Sequence, residues 1–145
     1  MQNISFSDAL DAVIRRDPRF DREAYSFLRD GLEFTIKKRR AKSSRKDEPA
    51  DVPVPELLDG LRIYALKEYG PMSRLVLESW GVRSCEDFGS LVFNLVEAGI
   101  FSKTDHDTPE DFRGGFDFDE AFLAPFRPQQ KRLSTNPGRV VERGS

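Results

Sequence analysis

"PMSRLVLESWGVRSCEDFGSLVFNLVEAGIFSK", Pro71 to Lys103, is the stretch on which the fold reading turns. Gly70-Pro71 stops one helix and starts another, whose apolar face is expected to carry Met72, Leu75, Val76 and Ser79. Gly81, directly after Trp80, is a C-terminal stop, because glycine enters the left-handed region without steric cost. Val82 is then placed to plug between two helices, and Ser84 with Asp87 three residues on makes a capping-box arrangement. Phe88, Leu91, Val92 and Leu95 follow at the i, i+3, i+4, i+7 spacing of an amphipathic helix, which Gly99 ends. Ile100 to Thr104 and Gly115 to Phe118, on either side of an acidic loop, read as two short strands with Phe116 and Phe118 on one face.

Toward the N-terminus, Ser7 is expected to cap a first helix with Phe6, Leu10, Val13 and Ile14 on one side, ended by Asp17-Pro18. Asp21 opens a second, striped by Tyr25, Leu28, Leu32 and Ile36; Gly31 within it costs about 1 kcal/mol relative to alanine. Ala41 to Pro55, with three prolines and two serines, reads as a linker. Pro55 suits the first turn of a third helix faced by Leu58, Leu61 and Ala65, with Tyr64 beside them. The expected organisation is a helical pair over 1–40, a basic, proline-containing linker over 41–54, and a three-helix-plus-hairpin unit over 55–126. That unit forms one compact domain with 1–40, and a polar tail over 127–145 reads as disordered. The fold class is mainly α with a small β-hairpin.

The pattern Pro71–Lys103, with its "WGVRS" turn and its "LVEAGIFSK" exit, resembles the helix-turn-helix and first wing strand of winged-helix proteins. The run from "DPRF" through "YALKEYGPMSRLVLESWGV" and "DFGSLVFNLVEAG" to "DFDEAF" also resembles an uncharacterised bacterial family of planctomycetes and verrucomicrobia, which implies no activity. Winged helices often read DNA with the second helix of the motif. Here that helix, Ser84 to Ala98, has no Lys or Arg, and Glu86 and Asp87 would face phosphates, so duplex reading by it is not expected.

The formal charge of −2 hides an asymmetry. Lys37 to Lys46, "KKRRAKSSRK", carries seven cations and no acid, and Arg127 to Ser145 carries a net +4; removing both leaves −13 on the rest of the 145 residues. Seven cations in ten residues favour phosphate contact with a steep salt dependence. No aromatic lies within the run, so little sequence preference is expected there. The candidate polyanion-binding residues are Lys37, Lys38, Arg39, Arg40, Lys42, Arg45 and Lys46. A protein interface is the second candidate surface, made by Glu86, Asp87, Phe93 and Glu97, with Phe93 off the apolar stripe of its helix.

Catalytic and metal chemistry find little support. His106, the single histidine, sits between Asp105 and Asp107, and zinc sites want about four convergent ligands. A calcium loop using Asp105, Asp107, Glu110 and Asp111 lacks the required glycine and the spaced bidentate Glu. The segment reads as a turn bent by Thr108-Pro109. Cys85, the single cysteine, cannot form an internal disulfide and has only His106 as a candidate base. No phosphate-binding glycine loop, signal peptide or membrane-length apolar run is visible, so the chain reads as cytoplasmic, without metal or other cofactor. The expected function is a non-enzymatic interaction module that contacts RNA, the ribosome or another polyanion through its basic loop. The alternatives are a protein–protein adaptor using the acidic helix and wing and, less favoured, a sequence-specific DNA-binding regulator.

Overall fold

A computed structural model describes residues 6–42, 52–101 and 109–127 of the chain. These form six α-helices: α1 (Phe6–Arg16), α2 (Arg22–Lys42), α3 (Val54–Tyr69), α4 (Ser73–Ser79), α5 (Cys85–Glu97) and α6 (Phe118–Phe122). Short 3-10 turns lie at Gly70–Met72, Pro109–Phe112 and Ala124–Phe126. One hydrophobic core runs through all six helices, from Leu10 and Val13 of α1 to Phe118 and Phe122 of α6.

The centre of the core is α2 packed along α3. The two approach closely because two glycines face bulk on the opposite helix. A Cβ on Gly60 would collide with the Thr35 hydroxyl, and one on Gly31 would collide with Leu61. Gly31 therefore exchanges some helix propensity for a tight crossing. The Thr35 hydroxyl donates back to the Gly31 carbonyl at 2.8 Å, which satisfies its one proton inside the apolar contact.

α1 is joined to α2 by a turn in which Asp17 accepts from the Arg19 backbone and side chain, while Asp21 Oδ1 accepts from the Glu23 N–H at 2.8 Å. Past Tyr69, the buried Ser73 hydroxyl lies 2.9 Å from the Ala65 carbonyl and 2.7 Å from that of Gly70, fastening the start of α4 to the end of α3. Gly81 takes a φ of 92°, and a Cβ there would run into the Arg19 carbonyl oxygen, so the turn needs glycine for both conformation and space. Val82 is fully buried as expected. Ser84 is the N-cap residue of α5, but its side chain makes no capping bond; the Asp87 carboxylate instead accepts from the Arg83 N–H at 2.8 Å.

The expected hairpin and wing are overturned: no strand occurs among the described residues. Ile100 and Phe101 turn their N–H groups back to the Leu95 carbonyl, at 2.9 and 3.2 Å, so they close the C-terminus of α5 instead of starting a ladder. Residues 102–104 lie outside the described residues. On the other side, Asp117 caps a helix, its carboxylate accepting from the Glu120 N–H at 3.0 Å. Phe118, Ala121 and Phe122 then bury one face of α6. A 3-10 turn at Pro109–Phe112 fits against α5, where Gly89 leaves room for the Phe112 ring. The winged-helix reading falls with the wing.

Three further expectations change. The buried face of α4 is Ser73 and Leu77, whereas Met72 and Leu75 are 53% and 58% exposed. α2 continues to Lys42, beyond the expected boundary at residue 40. Ser7 lies inside α1 and not at its cap position.

Candidate functional site

The helix α2 continues past its last buried residue. That residue is Thr35, and the seven residues that follow include Lys37, Lys38, Arg39, Arg40 and Lys42. Cations in the last turns of a helix are favoured by the partial negative charge at its C-terminus, which helps the rod stay helical despite their mutual repulsion. The structure separates these five residues into two sets. Arg39 is ion-paired to Glu56 in the first turn of α3, and Lys38 places its ammonium 5.8 Å from the centroid of the Phe34 ring. Lys37, Arg40 and Lys42 have no ion pair among the described residues and are exposed. Arg45 and Lys46, which complete the predicted set, lie outside the described residues.

Between this end of α2 and the start of α3 is a cleft of about 90 Å³ lined by Thr35, Lys38, Arg39, Lys42, Glu56, Asp59 and Gly60. Pockets that enclose a small molecule start at about 300 Å³. The basic end is thus suited to contact along an extended partner, not to enclosing a compact ligand.

Sequence reasoning missed the residues that border it. Lys67 of α3 places its ammonium 5.4 Å from the same Phe34 ring, and Tyr64 lies against that ring at 5.4 Å between centroids. The Phe34–Lys38 spacing of one helical turn was readable in the sequence. The α3 contribution was not, because it depends on how the two helices cross.

The second predicted surface is also divided. Glu86, Phe93 and Glu97 share an exposed face of α5, with Phe93 44% exposed. Asp87 is occupied by its bond to the Arg83 N–H, and Glu86 accepts from Arg113 at 3.1 Å.

Cys85 is buried, its thiol directed at the Phe116 carbonyl oxygen at 3.5 Å, and burial pushes its pKa up to about 11. The helix N-terminus does not activate it. Asp105, His106 and Asp107 lie outside the described residues, as do the side chains of Pro109 and Glu110. Among the described residues no group of three or more His, Cys, Asp or Glu is placed to hold a metal ion, and no helix is long and apolar enough to cross a membrane.

A polar cluster at the turn between α1 and α2 has a structural part. Asn94 of α5 donates to Asp17 and to the Tyr25 hydroxyl, while Arg19 grips Asp17 through two nitrogens. The hydrogen bonds from Arg19 hold the Asp17 carboxyl well below the usual carboxylate range, against the opposing effect of burial. The Asp17 carboxylate, the Asn94 amide nitrogen and the Tyr25 hydroxyl are all engaged within the fold.

Comparison of the chain with protein-family models, curated proteins and solved structures finds no match.

Proposed function

We propose that the chain is a non-enzymatic interaction module that binds RNA or a comparable polyanion through the basic end of α2. The supporting observation is the continuation of α2 for seven residues past Thr35, with Lys37, Arg40 and Lys42 exposed and unpaired among the described residues. A helix that is already formed spares the backbone the cost of ordering when it meets a chain of phosphates, and release of condensed counterions supplies the driving force. Little sequence readout is expected from the lysine and arginine contacts themselves, because phosphate contacts position a partner without specifying bases.

Binding of fluorescent single-stranded RNA, duplex DNA and inorganic polyphosphate, titrated with salt, tests this. With about three phosphates neutralised, log affinity for single-stranded RNA should fall with log salt at a slope of about −2. Salt-independent binding to one defined duplex would refute it. A second reading, a protein adaptor, draws on the exposed Phe93 between Glu86 and Glu97 on α5. Under that reading the partner would bind undiminished when α2 loses its cations.

A further inference from the structure

Phe34 stands where the aromatic core meets the basic rod. Its ring is half-buried and leans on Tyr64, tilted by 42°. Tyr64 leans in turn on Phe27, at 5.5 Å between centroids, and Phe27 is buried. The ring is thus the outer end of an aromatic row anchored in the core, and it is held from behind. Around it stand ammonium groups from two helices, Lys38 at 5.8 Å and Lys67 at 5.4 Å from its centroid. The unpaired Lys37 and Arg40 lie within two turns on the same helix.

We infer that Phe34, backed by Tyr64 and bordered by Lys38 and Lys67, is a stacking platform for a base of single-stranded nucleic acid. The inference rests on the polyanion reading above and names its ligand class. Every nucleobase has a π face, and a rigid aromatic beside a track of cations is the arrangement that engages single strands without reading their sequence. In the free protein the lysines lie over the Phe34 ring. The attraction of an exposed ammonium for a ring is weak, so each lysine exchanges it readily for a phosphate oxygen as the base takes the ring face. A duplex hides its base faces in the stack, and a plain polyanion has none; each gains only the charge contribution.

The acids nearby limit the footprint. Burial, followed by the carboxylates of Glu68, Asp30 and Glu33, raises the pKa of the Tyr64 hydroxyl. These carboxylates disfavour phosphates on the Tyr64 side of the ring. The strand is then expected to continue the other way along α2, toward Arg40 and Lys42.

Fluorescence anisotropy on the full chain tests this with three probes of equal length: a uridine oligoribonucleotide, its abasic counterpart and polyphosphate. One stacked base should make the uridine strand at least about fivefold tighter than the abasic strand. Phe34→Leu, which keeps an apolar helical residue, should bring that ratio to about one while polyphosphate affinity stays within about twofold. A wild-type ratio near one, with polyphosphate still bound in a salt-dependent way, overturns the platform and leaves the polyanion reading standing; this measurement does not depend on the variant folding. A ratio retained in Phe34→Leu overturns it too, by placing the stacking ring elsewhere. Absence of binding to all three probes overturns both proposals.

Discussion

The side-chain amide of Asn94 donates to the Asp17 carboxylate at 2.9 Å, joining the middle of α5 to the turn after α1 across 77 positions of sequence. The same amide donates to the Tyr25 hydroxyl at 3.0 Å, so one buried side chain links α1, α2 and α5. One bidentate contact from the Arg19 side chain and a bond from its backbone N–H add to the partners of Asp17.

Asp17 should make stability depend on pH. Its folded carboxyl is held low, chiefly by the hydrogen bonds from Arg19, so the stabilisation is present above the ordinary carboxylate pKa of about 4 and is lost as pH falls toward the folded value. Asp17→Asn should cost about 1.5–3 kcal/mol at pH 7, a range typical of hydrogen bonds to a charged group. The gap to wild type, measured by urea unfolding, should narrow below about pH 4. A gap of equal size at pH 7 and pH 3 would sink the linkage.

Gly60 should resist enlargement. A Cβ there would strike the Thr35 hydroxyl and lie 2.9 Å from the Thr35 Cβ, in the tightest part of the α2–α3 contact. Gly60→Ala gains helix propensity of about 1 kcal/mol but overpacks the crossing at a cost of about 1–3 kcal/mol. Net destabilisation is expected, and Thr35→Ala in the same chain should relieve part of it. A double-mutant cycle from thermal or urea unfolding measures that coupling; additive effects would show that the helices separate freely.

Cys85 should be inert in the folded protein. With its pKa raised to about 11 by burial, almost no thiolate is present at pH 8, and the thiol is shielded as well. Iodoacetamide at pH 8, followed by intact-mass measurement, should label the native chain far more slowly than the urea-unfolded chain. Equal rates would place the thiol in solvent and remove the contact with Phe116.

Helices were legible where stripes and stops coincided. Phe88, Leu91 and Leu95 are fully buried on one side of α5, and Gly81 turns with a positive φ as its position after Trp80 suggested. The α4 face was misread because Ser73, a polar residue, is buried with its one hydroxyl proton directed at the Ala65 and Gly70 carbonyls, while Met72 and Leu75 remain outside. The hairpin was misread for a related reason. Phe116 and Phe118 have strand-like alternation, yet Phe118, Ala121 and Phe122 also fit a helical face, and the Asp117 cap decides between them. Of the candidate site, the basic run was visible as composition alone. Which cations are spent, as Arg39 is on Glu56, and which aromatic joins them, as Phe34 does, depends on the antiparallel packing of α2 and α3.

That division of the basic residues yields a last prediction. Lys37, Arg40 and Lys42 serve no ion pair among the described residues, so the triple change to Glu should alter stability only modestly, mainly by placing acids at the negative end of the helix dipole. Arg39→Glu differs, because it sets a carboxylate against Glu56 and should lower stability by about 1 kcal/mol while weakening polyanion binding less than the triple change. Stability and affinity should therefore separate: the triple variant folds and fails to bind, and Arg39→Glu binds better but unfolds sooner. Parallel urea titrations and polyphosphate anisotropy read both quantities on the same samples. If Arg39→Glu lost as much affinity as the triple variant with no change in its unfolding midpoint, Arg39 would belong to the binding set, and its pairing with Glu56 would not hold in solution.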